Sequence, residues 1–297
     1  MYIASALRTD RMCKALTGLT VSEFNNLAVD FEWNYKEFEA KRKKKRERKI
    51  GGGRNSKIET VKEKLFYVLW YMKTYPTFDV ASFSVGFARS SACTWMHDLL
   101  PILEQTMKRK IVLPVRRISD PEEYFRLFPE AKEVFVDAVE RLKQRPKKKK
   151  AQNKTYSGKK KAHTRKSVIV TDKNRKILVI TKQKSGRRHD KRLADKDSVF
   201  EMIPKKITVF TDTGFQGEQK THPNICMPKK KSKGKPLTFD EKEMNKLISS
   251  YRVLVEHAIG GLKRFRCMSE KLRNRKEFID DIFILLSAGL WNYHLAS

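Results

Sequence analysis

Two aspartates each follow an apolar segment of the kind that forms a buried β-strand. Asp137 comes after Val134–Val136, and Asp212 comes after Ile207–Thr211. A carboxylate at the end of a strand is held rigidly while its oxygens reach the edge of the sheet, which suits a metal ligand. A turn or a helix cap is the alternative role for either aspartate, and the pattern leaves both roles open.

A third carboxylate, Glu256, lies in a long helix predicted over Asp240–Phe265. At about 100° per residue, Arg252, Glu256 and Lys263 fall within about 40° of one another and form a narrow charged stripe. Because Arg252 and Glu256 are four residues apart, a solvated row of ion pairs is the alternative interpretation. A separate apolar face of this helix is predicted to pack on the sheet, and it consists of Met244, Leu247, Tyr251, Leu254, Ala258 and Leu262.

Three carboxylates on separate elements would suffice to hold two Mg²⁺ ions, since Mg²⁺ keeps several water ligands. Two such ions assist displacement at a phosphodiester by binding the attacking and the leaving oxygen. Composition favours a polyanionic partner, because the 297-residue chain has 66 Lys and Arg against 34 Asp and Glu, a net charge of +32. An ordinary metabolic enzyme is therefore a poor first hypothesis. The hydrophobic content of 39% excludes a wholly disordered basic tail protein.

The front of the chain is predicted to be helical. Capping boxes at Thr20–Glu23 and Thr60–Glu63 each open an apolar-periodic helix. Between these helices, the basic run Lys41–Lys49 leads into Gly51–Gly53, which breaks any helix. This run is either a solvated linker or an arm that tracks phosphates.

Two short helical segments follow, Phe78–Phe87 and Ser90–Leu100, in the order of a helix-turn-helix. In that arrangement Arg89, Ser91 and Thr94 would face DNA from the start of the last helix. The alternative is a plain packing unit of three helices.

The second half changes to strands and then alternates helix and strand, which predicts a mixed α/β sheet. Four distant cysteines indicate reduced thiols. The start of the chain does not resemble a secretory signal. The most apolar stretch, Ile282–Trp291, is too short to cross a bilayer, so we expect no membrane segment and an intracellular protein.

Four segments resemble, in the same order, those of bacterial insertion-sequence DDE transposases, above all the group conventionally numbered five, which is related to PIF/Harbinger transposases. They are TYSGKKKAHTRKSVIV (155–170), SGRRHDKRL (185–193), TDTGFQG (211–217) and SSYRVLVEHAIGGLKRFR (249–266). The resemblance implies an RNase H-like mixed-sheet catalytic domain with an N-terminal all-α helix-turn-helix domain. It also implies that Asp137, Asp212 and Glu256 are catalytic and hold two Mg²⁺ ions, for which Mn²⁺ can substitute. Arg252 and Lys263 match the family's terminal signature and would contact DNA.

The sequence also predicts a domain organisation. We expect N-terminal helices and a basic linker over residues 1–58, the helix-turn-helix over 59–107, a connector over 108–130 and the catalytic domain over 131–297. The expected partners are double-stranded DNA, as terminal inverted repeats and as target, and a second copy of the chain in a homodimer or larger assembly. The expected location is the bacterial cytoplasm at the nucleoid.

Residues 141–166 contain 13 Lys or Arg and neither Asp nor Glu. We interpret the segment as a surface loop that grips phosphates, with a solvated patch as the alternative. A second basic patch covers Lys229–Lys231, Lys233 and Lys235. Expected DNA contacts in the first segment are Lys147, Lys148, Lys159, Lys160, Lys161 and His163.

The chain departs from the family pattern at two places. Ala138-Val139 stands where relatives have Gly-Thr, and Ser249 stands where the signature has Tyr. A catalytically decayed transposase acting as a DNA-binding or regulatory protein is therefore the alternative function, and a basic RNA-binding protein is a third. His189-Asp190 also matches a family motif. We interpret it as the cap of the next helix, with Asp190 as an alternative metal neighbour.

Overall fold

The computed structural model describes residues 3–43, 56–231, 234 and 236–297. Most of the first basic run, residues 44–49, lies outside this range, as do Gly51–Gly53, Lys233 and Lys235. The helices are α1 (Ile3–Ala6), α2 (Asp10–Thr17), α3 (Val21–Lys43), α4 (Val61–Thr74), α5 (Phe78–Val85), α6 (Arg89–Arg109), α7 (Pro121–Leu127), α8 (Lys149–Thr155), α9 (Asp190–Lys196), α10 (Phe239–Lys263), α11 (Arg266–Ser269) and α12 (Ile279–Ala296). The strands are β1 (Glu133–Leu142), β2 (Tyr156–Ser157), β3 (Ala162–Thr171), β4 (Ile177–Ile180), β5 (Lys184–Ser185), β6 (Thr208–Thr211) and β7 (Ile225–Cys226).

The chain divides into two compact units. The helical unit comprises residues 1–113, 263–270 and 282–297, and the sheet unit comprises residues 114–262 and 271–281. These units differ from the sequence-based boundaries at both ends of the catalytic segment. From residue 282 onward, the C-terminal α12 belongs to the helical unit, where Asn292 Nδ2 donates to the Val112 carbonyl at 2.9 Å and Tyr293 Oη to the Glu23 carbonyl at 3.0 Å. The expected connector contributes residues 114–130 to the sheet unit, where Ile118 and Tyr124 are buried in the core.

Local capping residues start the front helices as the sequence predicts. In the helical unit, Thr20 Oγ1 accepts the Glu23 backbone N–H at 3.0 Å, and the Glu23 carboxylate accepts the Thr20 N–H at 2.6 Å. Thr60 and Glu63 form the same reciprocal pair at the start of α4. Each box satisfies two backbone donors that a helix leaves unpaired.

Three successive helices, α4, α5 and α6, follow in the helix-turn-helix order. Gly86, which directly follows α5, has φ +79°, a left-handed conformation that glycine adopts without strain. Tyr67 Oη donates to the Ala92 carbonyl at 2.8 Å and ties α4 to α6. Helix α6 continues to Arg109, beyond the expected end at Leu100. That these helices bind DNA stays a prediction.

The sheet unit is built on a mixed sheet in the order β2-β3-β1-β6-β7, with β4 and β5 also paired to β3. Strand β1 is antiparallel to β3 and parallel to β6, and β6 is parallel to β7. One face buries Val134, Val136, Val168 and Val170 against α9 and the segment that follows it. This mixed α/β arrangement fits an RNase H-like domain, as the resemblance implied.

Three expectations about this unit were wrong in detail. Asp137 lies inside β1 rather than at its end, because β1 keeps its antiparallel partner β3 as far as Leu142. Residues 141–166 are not one loop, since they include α8, β2 and the beginning of β3. On α10, Ala258 and Leu262 are buried as expected, but Met244 and Leu247 are about half exposed, and the helix also buries Ile248 and Val255.

Among the described residues, no helix combines the length and the apolar character that a membrane span requires. The four cysteines are free thiols, as expected.

Candidate active site

Two carboxylates meet where the parallel strands β1 and β6 stop pairing. The last matched pair is Val136 opposite Thr211, and Asp137 and Asp212 directly follow these two residues. Neighbouring strands lie about 4.8 Å apart, which brings the two aspartates side by side. The Thr211 hydroxyl donates to the Val136 carbonyl at 3.0 Å and links the two strands at this point. Strand pairing, rather than sequence proximity, therefore assembles the acid pair.

Backbone amides orient both carboxylates. The Ala138 N–H donates to Asp137 Oδ1 at 2.7 Å, and the Gly214 N–H donates to Asp212 Oδ1 at 2.8 Å. Asp212 thereby caps the short 3₁₀ turn Thr213–Phe215. Capping was the alternative role that the sequence left open for Asp212, and the structure shows that the side chain does cap this turn.

The electrostatics of Asp137 are unusual for an aspartate. Burial raises its pKa to about 6, and the negative charges of Asp212 and Asp190 act in the same direction. The Ala138 N–H and the positive charge of Arg252 oppose this rise in pKa. A buried carboxyl with like charges beside it is a common feature of catalytic sites and a natural position for a cation.

Asp190 lies beside the acid pair, a position that the sequence analysis gave only as an alternative. A β-carbon added at Gly214 would lie 2.8 Å from Oδ1 of Asp212 and 3.3 Å from Oδ2 of Asp190, so both carboxylates flank this glycine. His189 stands at the N-cap of α9 without a side-chain capping bond, and Asp190 is the first residue of the helix. The expected helix cap is therefore absent, and the Asp190 carboxylate lies beside the acid pair instead.

A buried lysine holds Asp190 in place. Lys166 Nζ lies 3.0 Å from Asp190 Oδ1 and 3.8 Å from Glu140 Oε2, and its side chain is 7% exposed. Glu140 is directly opposite Lys166 in the β1–β3 ladder. An ammonium group removed from water needs such partners. Lys166 and Asp190 both lie in segments that resemble the family, but nothing in the spacing of those segments predicts that the two residues contact each other.

Glu256 is not brought into a ligand set with the two aspartates. Its side chain is 60% exposed, and its nearest ion-pair contact is Arg252 at 4.0 Å. Within the described ranges, no three Asp, Glu, His or Cys side chains are grouped so that they could hold a metal ion. Helix α10 is anchored over β6 by Tyr251, whose ring stacks on Phe210 with centroids 5.0 Å apart. The side chain that approaches Asp137 electrostatically from α10 is Arg252.

The expected DNA contacts are distributed over both units. In the helical unit, Arg89 and Thr94 are exposed and Ser91 is half-buried, and Arg89 forms an ion pair with Asp79 at 3.1 Å. Lys263 is the exposed last residue of α10. The remaining expected contacts are in the sheet unit: Lys147 and Lys148 are exposed before α8, Lys159, Lys160 and Lys161 are exposed between β2 and β3, and His163 is half-buried on β3.

Comparison with known proteins identifies the family. A family model described as DDE superfamily endonuclease matches residues 136–292, more than half of the chain. The chain is also 31% identical over 288 residues to a protein of Microchaete diplosiphon named "Probable transposase for insertion sequence element IS702". That alignment covers 97% of this chain and 96% of the relative.

The chain is a bacterial insertion-sequence DDE transposase by family. The matched region begins one residue before Asp137 and includes both aspartates and Glu256. Enzymes of this superfamily are endonucleases that use divalent metal ions, and a transposase acts on DNA. No solved structure matches the chain.

Proposed function

We propose that this protein binds the terminal inverted repeats of its own element and cleaves a phosphodiester bond at each end. The freed 3′-hydroxyl then attacks a phosphodiester of the target DNA. The observation that carries this proposal is the side-by-side placement of Asp137 and Asp212 at the end of the β1–β6 pairing. The net charge of +32 supplies the attraction for the DNA backbone.

The acid pair fits a divalent cation. Asp137 and Asp212 each use one oxygen for a backbone amide, and carboxylate oxygens are the ligands that Mg²⁺ and Mn²⁺ prefer. A bound ion supplies Lewis-acid polarisation of the phosphate and lowers the pKa of bound water. We assign Asp137 and Asp212 to this ion. Glu256 would complete a second ion position only in a different side-chain arrangement, since here it is 60% exposed and outside the ligand set. Arg252, which is half-buried beside Asp137, would hold a flanking phosphate.

We assign binding of DNA phosphates and recognition of the repeat sequence to separate surfaces. Arg89, Ser91 and Thr94 on α6 would bind the repeat sequence, and the lysines on either side of α8 and β2 would contact phosphates. Lys263 would add a phosphate contact from the end of α10. Joining two ends to one target requires at least two copies of the protein on DNA. We expect the protein at the nucleoid in the bacterial cytoplasm, where its DNA substrate would be.

The experiment is a cleavage assay on labelled DNA carrying the element's own ends, in Mg²⁺, Mn²⁺ or EDTA. Wild type is compared with Asp137→Asn, Asp212→Asn and Glu256→Gln. The matched control is Glu243→Gln, which makes the same substitution at an exposed position of the same helix. We expect metal-dependent nicking at the repeat boundary, abolished by the first three substitutions while DNA binding persists and unaffected by the control.

A decayed, DNA-binding transposase is the second candidate function. Ala138-Val139 in place of Gly-Thr and the exposed side chain of Glu256 favour it. Specific binding of the ends without cleavage in either metal would establish this alternative and overturn the first.

A further inference from the structure

A basic pocket opens in the sheet unit away from the acid pair. It has a cavity volume of about 600 Å³, which lies within the usual range of small-ligand pockets. None of its six lining residues is acidic. They are Arg145, Gln152, Asn153, Tyr156, His163 and Arg187.

Both arginines of the pocket bind only neutral acceptors in the contacts that the structure gives them. Arg145 Nη2 donates to Gln152 Oε1 at 3.2 Å, and Arg187 Nη1 donates to the Asn153 carbonyl at 3.4 Å. Neither contact neutralises the charge, so two exposed guanidinium groups remain positive beside the cavity. Planar guanidinium groups suit a phosphate, to which they donate two hydrogen bonds at once.

An aromatic ring stands among these charges. Tyr156 is 46% exposed although it lies in the sheet, and it meets His163 edge to face with centroids 5.6 Å apart. An exposed aromatic ring in a basic groove provides a stacking surface that any nucleobase can use. A duplex bound only through its phosphates would make no use of this ring.

The hydrogen bonds of His163 leave one ring nitrogen for a ligand. The Thr155 hydroxyl lies 2.9 Å from the Ala151 carbonyl and 3.0 Å from His163 Nδ1. In the His163 tautomer protonated on Nδ1, this hydroxyl donates to the carbonyl and accepts from Nδ1–H. In the neutral ring, Nε2 is then an acceptor. The pocket therefore combines phosphate donors, a stacking ring and an acceptor for the polar edge of a base.

The pocket shares a sheet face with the acid pair. Asp137 is opposite Ile169 in the β1–β3 ladder, and His163 lies six residues from Ile169 along β3. An even separation puts the two β3 side chains on one face, about 20 Å apart. Arg187 also lies three residues before Asp190. A single strand leaving the acid pair can thus reach the pocket after a few nucleotides.

We propose that this pocket binds an unpaired nucleotide of the DNA strand, with its phosphate between Arg145 and Arg187 and its base stacked on Tyr156. The proposal rests on the proposed function in that DNA is the ligand. It adds a separate subsite that distinguishes single-stranded ends from intact duplex.

The test measures binding by the full-length protein in EDTA, using fluorescence anisotropy with two labelled probes. One is a blunt duplex, and the other is the same duplex with a single-stranded extension of roughly four nucleotides. We expect the extended probe to bind about tenfold tighter than the blunt one. Tyr156→Ala should remove this preference and Tyr156→Phe should keep it. The matched control is Phe239→Ala, which removes an aromatic ring that is 76% exposed on α10, outside the pocket.

Three results would overturn the proposal. These are equal affinity for the two probes, an equal loss of affinity for both probes in Tyr156→Ala, and a loss of the preference in Tyr156→Phe. Because EDTA prevents cleavage, this result is independent of the nuclease assay. Preference for the extension without any metal-dependent cleavage would sustain the pocket and refute the proposed catalytic function. Metal-dependent cleavage without a preference for the extension would sustain the proposed catalytic function and refute the pocket.

Discussion

Replacing Asp137 with asparagine should stabilise the metal-free protein. Burial and the neighbouring negative charges raise the pKa of Asp137 from 3.8 to about 6. This rise in pKa corresponds to about 3 kcal/mol of unfavourable free energy in the folded, ionised form at pH 7. Asparagine removes the charge and keeps an oxygen for the Ala138 N–H. We therefore expect Asp137→Asn to raise the free energy of unfolding by up to about 3 kcal/mol.

The pH dependence follows from the direction of the shift. Because the pKa is higher in the folded state, the folded protein binds more protons than the unfolded chain between pH 3.8 and about 6. Wild-type stability from this group is thus lost as the pH rises through that window. The stability difference between variant and wild type should be small near pH 4 and reach its full value above pH 6.

The assay is urea unfolding in EDTA, followed by circular dichroism across this pH range. Glu201→Gln serves as control, because it neutralises an exposed carboxylate of the same unit and should leave stability unchanged. Adding Mg²⁺ should stabilise the wild type more than Asp137→Asn, since the variant lacks one of the assigned ligands. A raised pKa of Asp137 is refuted if Asp137→Asn is no more stable than wild type at pH 7 in EDTA, or if the stability difference does not change with pH.

Three further substitutions probe the supports of the site and of the helical unit. Gly214→Ala should reduce cleavage at least tenfold without weakening DNA binding, because its β-carbon would lie 2.8 Å from Asp212 Oδ1. The control is Gly158→Ala, because Gly158 has open space around it. Unchanged cleavage in Gly214→Ala would contradict the assignment of Asp212. Lys166→Met should lower the free energy of unfolding in urea by about 3–5 kcal/mol, because it leaves Glu140 and Asp190 without their buried cation. The control Lys173→Met, at an exposed position, should leave stability unchanged. Equal stability of the two variants would show that Lys166 does not neutralise Glu140 and Asp190. Gly86→Ala should lower the free energy of unfolding by about 1 kcal/mol, because Gly86 has a left-handed backbone conformation. Gly260→Ala, in the helix α10, should leave stability unchanged or raise it. A stability change of the same sign in both variants would argue against backbone strain at Gly86.

Much of the fold was predictable because its signals are local. A capping box acts over three residues, so Thr20–Glu23 and Thr60–Glu63 mark helix starts in any context. Apolar β-branched runs likewise predicted the strands before Asp137 and Asp212, and the charge excess pointed to a nucleic-acid partner. The order of strands and helices predicted the mixed sheet. The resemblance added the DDE transposase family, which the comparison with known proteins confirms.

The arrangement of the site depended on pairing between distant segments. Local pattern ended the first strand at Val136, but the ladder with β3 continues to Leu142, since a strand extends as long as one partner remains. The same ladder sets Glu140 opposite Lys166, and Lys166 in turn binds Asp190, 24 residues further along the chain. The helical stripe correctly grouped Arg252 with Glu256, yet only packing of α10 against the sheet could decide which of them approaches Asp137. Sequence spacing carries periodicity within one element, whereas the neighbours of a carboxylate are chosen by strand register and by the way helices pack.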